Sequence, residues 1–152
     1  MDILAHGLWG GAIFGQRTKR DWKWAFLSGI APDVIGFSIP VRTGMYPLLY
    51  SSTHSLLVWS VLIAIVWIVT KRLPWFLGAW GLHIVCDIFT HPLTAYPTPY
   101  LWPFNSDFVD GTAWARFDFL LWNYGFLIVC YAILAGLMLF RKLRHGGQTL
   151  TN

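Results

Sequence analysis

Apolar residues along this chain come in long runs, not in the alternation of a strand or the one-sided stripe of a wetted helix. Five apolar segments can be read: Ile3–Gly15, Trp24–Val41, His54–Thr70, Pro74–Thr90 and Phe117–Phe140. Runs of this uniformity predict lipid-facing helices. Backbone in lipid must satisfy its hydrogen bonds within its own segment, so the fold class is all-α. Only the fifth run is comfortably long, because 17 residues rise about 25 Å against a hydrocarbon core of roughly 30 Å. Pro32 interrupts the second run and Pro40 ends it. The first two runs are therefore expected as half-membrane or re-entrant helices packed against protein. Together these features predict a polytopic membrane helical bundle of about four to five transmembrane or half-membrane helices. They predict one integral-membrane domain over 1–145 and a short flexible C-terminal tail at 146–152. Gly7, Gly11 and Gly15 recur every four residues, which gives the first helix a smooth face for close packing.

Composition strengthens the membrane reading. Hydrophobic residues make up 56% of the chain and charged ones 12%, about half the charged share of a soluble domain. All seven acidic residues are Asp, so the usual surface carboxylate of wetted helices, Glu, is missing. The start carries Asp2 where a signal peptide would carry basic charge, and no such peptide is expected. Cys86 and Cys130 lie inside apolar runs without CxxC spacing, so neither a disulfide framework nor a thiolate metal site is expected.

The net charge of +4 would by itself raise the prospect of nucleic acid. Its distribution argues otherwise. Arg17, Lys19, Arg20 and Lys23 separate segments one and two; Lys71 and Arg72 separate three and four; Arg141, Lys142 and Arg144 follow segment five. These nine of eleven basic residues fall on every second connection, while the alternate connections hold only Arg42 and Arg116. The positive-inside rule then predicts a multi-pass membrane protein with its basic C-terminal tail cytoplasmic. The 42–53 and 92–116 loops fall on the outer side, and no direct nucleic-acid contact is expected.

Ionisable residues inside apolar runs are costly and therefore point to function. Here they are His6, Asp33, His54, His83, Asp87 and His91, and the predicted topology puts all of them towards the outer ends of their segments. His83, Asp87 and His91 follow one another at steps of four on one helical stripe. His83 and Asp87 suit one ion, whereas His91 lies roughly 12 Å from His83 along the axis. His91 is thus expected to bind a second ion or to act as a proton donor or phosphate contact. Pro92 would end the helix there and let His91 turn to the surface. Imidazole with carboxylate and no thiolate suits Zn2+, one or two ions, ahead of Mn2+ or Fe2+.

Blander readings compete at each position. The stripe could be an interhelical polar contact or proton relay, Asp33 a cap after Pro32, and His54 a polar helix start. His6 could be held by Asp2 four residues earlier. His145 belongs to the solvated tail. The 92–116 loop, with Tyr96, Tyr100, Trp102 and Phe104 among its prolines, reads as an interfacial aromatic belt or a stiff lid. Asp107 and Asp110 read as wetted loop residues, with Asp118 a weaker candidate for the site.

The order of these residues resembles the YdjM-like family. The resemblance is carried by Ala5-His6-Gly7, Gly29 to Asp33, Thr53-His54-Ser55, His83 to Asp87 with Thr90 and His91, and Leu101 to Phe104. It covers residues 1 to about 125. It implies a small bacterial inner-membrane protein of a group regarded as metal-dependent hydrolases and also labelled LexA-binding. The implied metal set is His6, Asp33, His54, His83 and Asp87. The His–Asp–His–HxxxD order also resembles, more distantly, zinc-dependent phospholipase C. One departure stands out: such proteins often carry a His-Arg pair before Thr-His-Ser, whereas this chain reads Leu49-Tyr50-Ser51-Ser52.

The expected function is a membrane-bound metal-dependent hydrolase acting on a phosphoester of a lipid or other amphiphile through a metal-activated water. Asp87 and His91 are its expected catalytic groups. Expected partners are membrane lipids, a lipid-like substrate and, by family label, a soluble repressor. A non-catalytic scaffold or regulator and a metal or proton transporter are the alternatives.

Overall fold

The structure, a computed structural model, describes residues 1–38, 46–105 and 107–146. The expected end of segment two at Pro40, Arg42 of the following loop, and the tail beyond residue 146 lie outside the described residues. The described residues are helical without strands: α1 (Ile3–Phe14), α2 (Lys19–Ser38), α3 (Tyr46–Thr53), α4 (Leu56–Thr70), α5 (Gly78–Thr90, led by a 3-10 turn at Trp75–Leu77) and α6 (Phe117–Gly146).

The helix ends have local causes. Asp2 caps α1 by accepting from the Ala5 amide at 3.0 Å, and Ser55 caps α4 by accepting from Val58 at 3.3 Å. α4 stops at Lys71, whose left-handed backbone (φ 54°) returns its N–H to the Trp67 carbonyl. Pro32 does not interrupt α2 as the sequence suggested; the helix runs through it, and the ring is fully buried. Asp33 is accordingly an inward-facing residue of a continuous helix, not a cap. α3 was expected as loop. Its Ser-Ser-Thr run favours turns, but the Ser52 and Thr53 hydroxyls bond back to the Leu49 carbonyl, each at 2.9 Å.

The glycine face of α1 packs as its spacing predicts. A Cβ on Gly7 would meet the Phe26 ring at 2.6 Å, and one on Gly11 or Gly15 would meet Trp22 at 2.5 Å. Gly10 brings α1 equally close to Ala25 of α2 and Ala79 of α5. α1 thus lies in the angle between α2 and α5, and His6 is carried in with it. The 92–116 segment folds over the ends of α4 and α5. Gly111 and Trp114 amides donate to the His91 and Thr90 carbonyls, and the Ser55 hydroxyl donates to Trp102 at 2.6 Å.

α6 is the one described helix long and apolar enough to cross a membrane, over Phe117–Arg144. Its 28 residues rise about 42 Å. The expected spans in segments one, three and four are shorter apolar helices, Ile3–Phe14, Leu56–Thr70 and Trp75–Thr90. α2 has the length but begins with Lys19, Arg20, Asp21 and Lys23, which removes it from that class.

The interior is inverted relative to a soluble protein. Val69 and Ile128 are 75% and 70% exposed, while His54 and Asp87 are completely buried. The ionisable residues gather at one end of the bundle. α1 and α6 run away from that end side by side: Tyr124 donates to Asp2 at 2.7 Å and Tyr131 to the Leu8 carbonyl at 2.8 Å. The 15–18 and 71–77 connections lie at the other end, where Gly78 abuts the Phe14 ring.

Candidate metal centre

Three helices and one turn deliver the polar cluster. His6 comes from α1, Asp33 from α2, His54 from the turn after α3, and His83 and Asp87 from successive turns of α5. His54 therefore ends one helix, where the sequence had suggested that it opens the next.

Two of these imidazoles are set by backbone carbonyls. His83 Nδ1 lies 2.7 Å from the Gly29 carbonyl, and His54 Nδ1 lies 3.0 Å from that of Tyr50. A carbonyl only accepts, so in both rings Nδ1 carries the hydrogen and Nε2 presents a lone pair. Those two Nε2 atoms are 3.2 Å apart. Two lone pairs directed at one buried point repel unless a cation or proton lies between them.

Two carboxylates complete the point. His83 Nε2 is 3.0 Å from Asp87 Oδ2 and 3.6 Å from Asp33 Oδ1; His54 Nε2 is 3.6 Å from Asp87 Oδ2 and 3.3 Å from Asp33 Oδ1. The ligand-competent atoms of Asp33, His54, His83 and Asp87 all lie within 4.8 Å of one another. A tetrahedron with metal–ligand bonds of about 2.0–2.1 Å has edges of about 3.3 Å, close to the 3.0–3.6 Å between the imidazole nitrogens and the carboxylate oxygens. Asp87 Oδ2 is buried and receives no hydrogen bond, as an oxygen reserved for a cation would be. The donor set of two imidazoles and two carboxylates fits zinc chemistry.

His6 and His91 lie on the other side of Asp87. His6 Nε2 is 2.8 Å from Asp87 Oδ1, and its ring stacks on His83 with centroids 3.7 Å apart. Its Nδ1 is buried without a partner. Asp2, expected to orient His6, instead caps α1 and accepts from Tyr124. His91 does not turn to the surface as Pro92 had suggested: the covering segment leaves it 5% exposed. Its Nδ1 is 2.8 Å from the Tyr96 carbonyl and its Nε2 is 3.4 Å from Asp87 Oδ1. His83 and His91 thus flank opposite oxygens of one carboxylate. The Met1 ammonium sits beside His6 and His91, donating to Asp87 Oδ1 at 2.6 Å and to Thr90 Oγ1 at 2.7 Å. The ammonium thus adjoins His91, for which a second ion was one of the expectations.

Asp118 stands apart, exposed and paired with Arg116 at 2.6 Å. Asp107 bonds Asn105, and Asp110 accepts from the Leu93 amide. Tyr50 is the residue that sequence reasoning missed. It stacks on His54 at 4.1 Å, donates to the Tyr96 carbonyl at 2.7 Å and lies 3.4 Å from His91 Nδ1. Its only signal was that it occupies the stretch departing from the His-Arg pattern. Tyr96 presents that shared carbonyl from a left-handed backbone (φ 55°), a costly conformation for a bulky residue that two hydrogen bonds hold in place.

A groove of about 450 Å³ opens beside the cluster, with Asp33 and His91 at its polar end and Ile3, Val34, Phe37 and Trp114 along its walls. Comparison with curated proteins and with solved structures finds no match. The family model described as YdjM inner membrane protein matches residues 1–150, and the chain belongs to that family.

Proposed function

We propose that this inner-membrane protein is a metal-dependent hydrolase that cleaves a phosphoester of a lipid or similar amphiphile. The observation that carries the reading is the pair of imidazole Nε2 lone pairs 3.2 Å apart, faced by two buried carboxylates. A divalent ion there, most simply zinc, would supply Lewis acidity towards a water and the scissile group. Asp33, His54, His83 and Asp87 hold it. Gly29 and Tyr50 carbonyls fix the two rings in the ligating tautomer, as outer-shell partners do in metal sites. His6 bonds the second oxygen of Asp87 and keeps that carboxylate oriented. His91 lines the groove, with its Nδ1 engaged by the Tyr96 carbonyl and its Nε2 3.4 Å from Asp87 Oδ1, and would be the group that takes or returns a proton.

The groove supports the amphiphile. Its apolar walls suit an acyl or isoprenoid chain, and its polar end brings a head group against Asp33 and His91. The basic residues of the 15–23 and 71–72 stretches lie at the bundle end away from the cluster, which supports an outer-facing site and a cytoplasmic basic end in a multi-pass arrangement. The same separation disfavours a transporter, which needs polar residues through the membrane depth. The basic end also suits a soluble regulatory partner, and that interaction would survive Asp87→Ala.

The test is hydrolysis of phospholipids and lipid-linked phosphodiesters in mixed micelles by metal-loaded protein. Product release by wild type and none by Asp87→Asn supports the reading. Metal-loaded wild type that turns over no phosphoester amphiphile rejects it.

A further inference from the structure

A second cavity, of about 770 Å³, lies at the far end of the bundle, some 12 Å along α1 from His6 to Phe14. Phe14, Val66, Leu73 and Trp75 form its apolar wall, and Arg17 and Arg72 its charged rim. The Arg17 guanidinium lies over the Trp75 ring, 5.3 Å from the centroid, which orients the fork without consuming its N–H groups. Among the described residues neither arginine has a carboxylate partner; the one arginine ion pair there is Arg116–Asp118. Asp21 also lines the cavity, but its Oδ2 already accepts from Thr18 at 2.7 Å. Two arginines against the one Asp21 carboxylate leave the rim net positive, with guanidinium donors to spare.

We propose that this cavity holds an anionic phospholipid, its phosphate between Arg17 and Arg72 and its first acyl carbons against Phe14, Val66 and Leu73. Charge complementarity selects the head group, and the apolar wall selects a lipid over a free anion. A basic pocket between membrane helices is a recognised form of such recognition. The site owes nothing to the metal cluster, and the lipid is a bound structural or regulatory ligand, not a substrate.

Native mass spectrometry of the full chain in detergent, titrated with phosphatidylglycerol or phosphatidylcholine of matched acyl chains, tests this. Wild type should retain phosphatidylglycerol at much lower concentration than phosphatidylcholine. Two basic side chains correspond to roughly thirtyfold in affinity, so R17Q/R72Q should lose about that much for phosphatidylglycerol alone. R141Q/K142Q, basic residues outside the cavity, should bind as wild type does. Millimolar inorganic phosphate should not displace the lipid. Equal retention of both lipids by wild type overturns the proposal without any variant. So do unchanged binding by R17Q/R72Q, equal loss in R141Q/K142Q, or displacement by phosphate.

Discussion

Replacing Gly29 with alanine tests how closely the fold and the cluster are joined. Gly29 sits where α2 crosses α1, and its carbonyl holds His83 Nδ1 at 2.7 Å. A Cβ there would stand 2.6 Å from the His6 carbonyl oxygen, about 0.8 Å short of the 3.4 Å at which ordinary contact begins. The obstructing atom is helix backbone, so relief requires moving α1 away from α2. That movement drags His6 from Asp87 and tilts the carbonyl that sets the His83 tautomer. Overpacking of this kind costs about 1–3 kcal/mol. In a chain of this size that is a fall in Tm of roughly 2–12 °C. Gly125→Ala is the control, because a Cβ there meets nothing within 4 Å. Thermal unfolding and zinc content would be measured on both variants in the same detergent. G29A should melt lower and retain less zinc, and G125A should match wild type. A G29A protein with wild-type Tm and full metal would refute the coupling of helix packing to the centre.

Other perturbations have separate readouts. Tyr50→Phe removes the hydroxyl that bonds the Tyr96 carbonyl beside His91; outer-shell losses of this kind cost about 10–100-fold, so activity should fall while zinc stays bound. Phe37→Ala opens the groove wall without touching a ligand, and should shift the preferred chain length of the amphiphile in a turnover series. Chelation should lower Tm, by an amount equivalent to about 2.7 kcal/mol for a metal present at a hundred times its Kd, and readdition of zinc should restore it. A single cysteine at Phe108 should react with an impermeant reagent added outside intact cells, and labelling only after permeabilisation would invert the topology.

Much of this architecture was legible because lipid leaves few options. Long apolar runs forced helices, the Gly7–Gly11–Gly15 spacing marked the face on which α1 meets α2, and buried His and Asp stood out against an oily background. The misread parts share a cause: local propensity was overruled by packing. Pro32 reads as a break, yet burial within α2 accommodates it. Ser51-Ser52-Thr53 read as loop, yet back-bonding to Leu49 completes α3 and sets the Tyr50 carbonyl beneath His54. Pro92 promised an exposed His91, but the 110–116 stretch bonds to the α5 end and encloses it. Which oxygen of Asp87 faces which histidine depends on how four helices meet, and no one-dimensional spacing encodes that.

Metal content tests the central claim most directly. Protein purified in detergent without chelator and reloaded with zinc would be assayed by inductively coupled plasma mass spectrometry, wild type beside Asp87→Asn and His54→Ala. The geometry predicts at least one tightly held zinc per chain in wild type and its loss in both variants. A correctly folded wild type that holds no more metal than the variants would contradict the assignment of Asp33, His54, His83 and Asp87 as a metal centre.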